Sequence, residues 1–180
     1  IRLSLVGSEM CIRDRISPEL SSSTKKRGYE TLSQLIDSIP YISFLGVVFE
    51  RTDDQIKAIL PFKDELIGNP SLPALHGGSI AAFLEISAIV ELSWMQIRRQ
   101  IEAEENVTDF LEDLRPFFLP KTIDFSVDYL RSGLPSDAYA HATVNRAGRR
   151  YASVHVEAWQ DNRNKLFAQA TGHFLMPIKK

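Results

Sequence analysis

Glu85 and the run His76-Gly77-Gly78 are the residues whose types and spacing best fit a chemical role. Two glycines at the start of a helix leave N–H groups without intrahelical acceptors, at the positive end of the helix dipole. Glycine also lets a bound molecule approach the backbone where a side chain would block it. Such N–H groups can hold the oxyanion that forms when a carbonyl is attacked. Nine positions after the histidine, Glu85 lies among Phe83, Leu84 and Ile86 on a helix with little polar surface. A carboxylate there carries a desolvation cost unless it is paired or faces a site, and the surroundings should raise its pKa. It could activate water or attack a carbonyl directly. Plainer uses exist for both: Glu85 reaching solvent or an arginine at a sheet edge, and His76 bonding the backbone ahead of the helix. Glu91, near the polar end of the same helix, reads as solvated or salt-bridged.

The elements around these residues follow from periodicity. Thr31-x-x-Gln34 has the form of a capping box, and Leu32, Leu35, Ile36 and Ile39 follow at helical spacing, so a short helix is expected from Thr31 to Pro40. A hairpin comes next, Val47 to Glu50 and Gln55 to Phe62, joined by a polar turn at Arg51-Thr52-Asp53-Asp54. Asn69, Pro70 and Pro73 make residues 68 to 75 a loop that leads to His76. Ile80 to Met95 is apolar nearly all round, as in a helix enclosed by other elements. Charges crowd between Arg98 and Asp113, and a second short helix (Phe110, Leu111, Leu114) is expected before Pro116.

Four alternating segments close the chain, at 122–129, 140–144, 152–158 and 166–174. Turn residues join them (Gly133-Leu134-Pro135, Ala147-Gly148, Asp161-Asn162-Arg163-Asn164), so successive strands are expected to pair antiparallel. Six strands and one enclosed helix suggest an α+β fold, a curved antiparallel sheet wrapped around that helix.

Composition narrows the function classes. The 180 residues, 44% hydrophobic and 24% charged, suit one domain, and the net charge of -2 suggests no nucleic-acid partner. The apolar stretch from Ile80 is broken by Glu85, Ser87 and Glu91, so no membrane span is expected. Residues Leu5 to Arg15, LVGSEMCIRDR, look like the conceptual translation of a transposase adapter used in sequencing libraries, and 1–15 are set apart from the fold. Cys11, the only cysteine, falls there, so neither disulfide nor thiolate chemistry is expected, and a cysteine-free body suits the cytoplasm. Residues 16–30, rich in Ser, Lys and Arg, read as a flexible leader ahead of a single domain at 31–180. His141, His155 and His173 lack metal-ligand spacing, so no metal is expected.

The order helix, two strands, loop, HGG, buried helix, four strands resembles the hotdog fold. LPALHGGSIAAFLE resembles the phenylacetate-pathway (PaaI-like) type of thioesterase and its relative, 4-hydroxybenzoyl-CoA thioesterase. The resemblance spans about residues 31 to 177 and implies hydrolysis of an acyl-CoA to free acid and CoA. Glu85 would be general base or nucleophile, the Gly77 N–H the oxyanion donor, and His76 would shape the loop. No cofactor is implied, since coenzyme A is part of the substrate. If the helix starts at Gly78, Glu85 lies about 10 Å along it, too far for both to address one carbonyl. The resemblance implies a homodimer in which Gly77 of one subunit and Glu85 of the other share a site, with a tetramer as a further state.

Relatives often carry an asparagine shortly before the HGG, which makes Asn69 a candidate for positioning substrate or water, with Asn-Pro turn formation as its plainer use. Gly78 joins it as a candidate for substrate binding. Arg131, Arg146, Arg149 and Arg150 stand at strand ends or turns where the phosphates of CoA could be held. Two other activities compete. One is a domain that binds acyl-CoA without hydrolysing it. The other is enoyl-CoA hydration, which needs an Asp before the Asn-Pro, where Gly68 stands instead.

Overall fold

The computed structural model describes residues 22–52, 55–102 and 119–177. In chain order these form α1 (Ser22–Asp37), α2 (Pro40–Leu45), β1 (Val48–Thr52), β2 (Gln55–Leu60), a 3₁₀ turn (Asp64–Leu66), α3 (Gly77–Glu102), β3 (Lys121–Tyr129), β4 (Ala138–Ala147), β5 (Tyr151–Trp159) and β6 (Ala168–Leu175). The expected short helix before Pro116 lies outside the described residues, as do the adapter-like segment and Asp53 and Asp54 of the polar turn between β1 and β2.

Helix α3 packs across the inner face of a six-stranded sheet of order β1-β2-β4-β5-β6-β3, with every neighbouring pair antiparallel. The core is an apolar stripe of the helix pressed onto small strand residues. Phe83, Leu84, Ala88 and Leu92 are wholly buried, and Ala140, Ala158, Ala168 and Ala170 face them at 0 to 1% exposure. Short alanine side chains let the helix axis come close to the sheet, so the larger helix residues fill the space between. The most apolar window of α3 is long enough to cross a membrane, but 67% of it is buried inside the fold.

Three expectations change here. Helix α1 starts at Ser22, so part of the stretch read as a leader is helical, and Thr31 sits inside the helix instead of capping it. Its hydroxyl donates back to the Arg27 carbonyl at 3.0 Å. The reason is tertiary: Tyr29 stacks on Trp94 of α3 with centroids 4.8 Å apart, and a Cβ on Gly28 would lie 2.5 Å from Ile101 Cδ1. The upstream turns therefore have a partner helix that local periodicity could not reveal.

Pro40, expected only to end a helix, also opens α2, which closes on Gly46 at a φ of 79°. Proline at the start and glycine past the end form the usual asymmetric pair of helix boundaries.

Strands β3 and β4 are not a hairpin, because β3 pairs with β6 and becomes the sheet's edge. The connection between them is held elsewhere. Leu75 N–H donates to the Gly133 carbonyl at 2.9 Å, and Gln160 exchanges hydrogen bonds with Leu134 in both directions. Turn residues mark a change of direction without naming the strand that receives the chain.

Candidate active site

His76 is the N-cap of α3. Its carbonyl accepts the Ile80 N–H at 3.1 Å, and its Nδ1 accepts the Gly78 N–H at 2.9 Å. Accepting at Nδ1 leaves the proton of the neutral ring on Nε2. The residue is set in place by its own N–H, which donates to the Leu66 carbonyl at 2.7 Å, beside the Ile67–Leu75 bridge. A Cβ on Gly78 would lie 3.0 Å from His76 Nδ1, so glycine here makes room for the cap. The Gly77 N–H has no acceptor among the described residues and points out of the first turn. The Gly77 carbonyl accepts the Tyr129 hydroxyl at 2.8 Å.

Glu85 is half-buried, and its Oε1 accepts the Thr122 hydroxyl at 2.6 Å. Simple alternation would put Thr122 on the outer face, away from the helix. A register shift between Thr122 and Asp124 returns it to the side that carries Phe125, Val127 and Tyr129, and leaves Ile123 exposed. Edge strand β3 thus holds both parts of the candidate site, Tyr129 at Gly77 and Thr122 at Glu85. Neither partner was singled out from the sequence. The sequence offers a hydroxyl residue at each end of a strand that follows the buried helix, with nothing local to mark either one.

Glu91 departs from expectation. Its Oε2 is buried with no hydrogen-bond partner among the described residues. Burial pushes its pKa up to about 7, against the opposing pull of Arg98. Trp94 and Met95 are buried as expected of the enclosed run, and the cover continues on one side past them, with Ile97 and Ile101 buried where charges begin to crowd. Glu91 lines a cavity of about 560 Å³ together with Gln55, Met95, Arg99, His141 and Arg146. Burial is also the main reason that the His141 pKa is lowered, with Arg163 acting in the same direction.

The remaining candidates are scattered. Asn69 is exposed and closes a turn, its Oδ1 accepting the Ser71 N–H at 3.0 Å and its carbonyl the Leu72 N–H at 3.2 Å. Arg131 lies just past Tyr129, at the Gly77 end of β3, where its Nε and Nη2 donate to the Leu166 carbonyl at 2.9 and 2.7 Å. Arg149 and Arg150 are exposed in the β4–β5 turn, at the end of the sheet where Leu175 lies between Tyr151 and Lys121. That is the Thr122 and Glu85 end. Arg146 faces the Glu91 cavity. The arginines therefore form no single phosphate cradle within one subunit.

The comparisons with known proteins bear on this arrangement. The family described as acyl-CoA thioesterase N-terminal domain matches residues 69–175, a span that includes His76, Gly77, Glu85, Thr122 and Tyr129. This chain belongs to the hotdog thioesterases. The enzyme is 31% identical over 142 residues to the medium/long-chain acyl-CoA thioesterase YigI of Escherichia coli K12, a match covering 77% of this chain and 86% of the relative. A solved Chromobacterium violaceum structure is 30% identical to the thioesterase with a TM-score of 0.58, covering 89% of this chain and 100% of that one. The Escherichia coli PaaI structure shares the fold at 12% identity and a TM-score of 0.63, covering 84% of this chain and 94% of that one. The LPALHGGSIAAFLE resemblance and these matches point to the same superfamily, and the thioesterase is a thioester hydrolase acting on acyl-CoA.

Proposed function

We propose that this enzyme hydrolyses medium- or long-chain acyl-CoA, with Glu85 as general base and the Gly77 N–H as oxyanion donor in a site shared by two subunits. The chain-length class rests on the similarity to YigI, a medium/long-chain acyl-CoA thioesterase. The observation that carries the chemistry is the Thr122–Glu85 hydrogen bond at the sheet edge. Engaging Oε1, it fixes the carboxylate plane and leaves Oε2 to take a proton from water. The hydroxide adds to the thioester carbon, and negative charge collects on the carbonyl oxygen at the Gly77 N–H. The C–S bond then breaks, and the thiolate of CoA receives the proton taken up by Glu85. Water has then been divided between acid and thiol, and the balance needs no further group.

Distance supports a site shared by two subunits. Gly77 and Glu85 are separated by about 12 Å of helix axis, at about 1.5 Å per residue. Strand β3 is the sheet's edge, with Ile123 and Tyr129 exposed. A two-fold axis that pairs β3 antiparallel with its copy would set the Tyr129 end of one strand, and Gly77 with it, beside the Thr122 end of the other. The partner's Glu85 would then face Gly77. The same pairing brings Arg131 of one subunit toward the Arg149–Arg150 turn of the next, where the phosphates of CoA could be shared.

A thiol-release screen over short-chain, medium-chain, long-chain and aromatic acyl-CoAs tests the substrate class, with the highest kcat/KM expected for medium or long chains. Tight acyl-CoA binding without thiol release on any substrate would instead support a non-catalytic binding domain. A direct attack by Glu85 would be revealed by single-turnover hydrolysis in labelled water, with the label found in the protein and not in the acid.

A further inference from the structure

An oxyanion donor is useful only if its direction is set before the charge develops. Gly77 and Gly78 are poor at this by themselves, since glycine restricts its own backbone least of all residues. The peptide that joins them is gripped at both ends. Its N–H is taken by His76 Nδ1 at 2.9 Å, and its carbonyl by the Tyr129 hydroxyl at 2.8 Å. The two grips come from different parts of the chain: His76 from the loop tied to Leu66, Tyr129 from the edge strand. The Tyr129 ring also lies against Gly77, close enough that a Cβ there would be 3.4 Å from ring Cζ. Tyr129 is 52% exposed on a single subunit, so packing within that subunit does not account for its placement.

We propose that Tyr129 is a positioning residue for hydrolysis: with His76 it clamps the Gly77–Gly78 peptide, which fixes the backbone at Gly77 and the direction of the Gly77 N–H. The inference rests on the reading of Gly77 as oxyanion donor. Tyr129 acts on the reaction only through that backbone and takes no proton. Since β3 also carries Thr122, one strand would set the geometry of the oxyanion donor and of the base.

Two substitutions separate the clamp from the reading beneath it. Tyr129→Phe keeps the ring and deletes the hydroxyl. Gly77→Pro deletes the donor N–H at the first helical position, where proline is accepted because that N–H has no intrahelical partner. Gly77→Pro should lower kcat by about 100-fold, the lower end of the loss of one oxyanion donor. Tyr129→Phe should lower kcat by about tenfold, with KM and thermal midpoint nearly unchanged. It should weaken binding of a CoA-linked trifluoromethyl ketone, which forms a tetrahedral adduct, by the same factor. Binding of a thioether analogue of the substrate should not change. In the Gly77→Pro background, Tyr129→Phe should add little further loss.

If Gly77→Pro folds and retains its kcat, the reading of Gly77 fails. If Gly77→Pro loses activity while Tyr129→Phe keeps its kcat, or loses only in KM, the clamp alone is overturned. Equal losses from Tyr129→Phe in both backgrounds would also overturn it, since the hydroxyl would then act other than through Gly77. Should Gly77→Pro not fold, the ratio of tetrahedral to thioether binding in Tyr129→Phe decides the clamp by itself.

Discussion

Glu85 and Glu91 occupy the same helix, less than two turns apart, and the sequence suggests a desolvated carboxylate at the first and a solvated or salt-bridged one at the second. Their surroundings differ. Glu85 looks toward the edge strand, where a threonine hydroxyl donates to it at 2.6 Å. Glu91 looks toward β4, in a cavity where its Oε2 finds no partner among the described residues and its pKa is pushed up to about 7. A displaced pKa on a carboxylate in a cavity is the usual flag for a functional site. Here that flag falls on the residue that lies away from the glycine-rich helix start and from the edge strand. Geometry is the better guide: a proposed base needs a donor to orient it and a carbonyl-binding partner within reach, and only Glu85 has the first at a surface that can supply the second.

The comparison is most severely tested by paired substitutions. Glu85→Gln should lower thioester turnover by about 10²- to 10⁴-fold, the range for loss of a general base. Glu91→Gln should stay within about twofold of wild type, because no reacting atom lies near it in the proposed mechanism. A large loss from Glu91→Gln together with a small one from Glu85→Gln would reverse the assignment.

Thr122 sharpens the contrast from the other side. Deleting a neutral donor to a charged acceptor costs about 1.5–3 kcal/mol, so Thr122→Ala should lower kcat by at least about tenfold, with Thr122→Ser restoring most of it. Equal activity in all three proteins, measured with the same acyl-CoA, would show that the hydrogen bond does not orient the base.

The smallest effect expected is on stability, and it belongs to Glu91. Its folded pKa, about 7, lies above the ordinary value of 4.5. Between these values the folded state keeps a proton that the unfolded chain has released. Stability therefore declines as pH rises from about 4.5 to about 7, and the decline levels off above that. Denaturant unfolding across this window should show the decline in wild type and a flatter profile in Glu91→Gln. Parallel profiles would mean that Glu91 is not the buried acid described above.

Much of the fold was legible because its signals are short-range. The alternation in β4, β5 and β6, the apolar helix opened by His76-Gly77-Gly78 and the turn at Asn69 depend on neighbours within a few residues. The start of α1 was misjudged because its upstream turns are stabilised by Trp94 and Ile101, far away in sequence. The setting of Glu91 differs from its expectation likewise, since the nearby charges suggested solvent while β4 lay out of sight.

By itself, then, the sequence determined the family, the helix that carries Gly77 and Glu85, and the chemistry that such residues favour. Which groups complete the site was decided by tertiary structure. Thr122 lies 37 residues from Glu85 and Tyr129 lies 52 from Gly77. Both contacts depend on β3 choosing β6 over β4, and Thr122 also depends on the register shift that turns it toward the helix. A strand's partner and register are set by what the whole sheet can bury, and one residue of slip exchanges its faces.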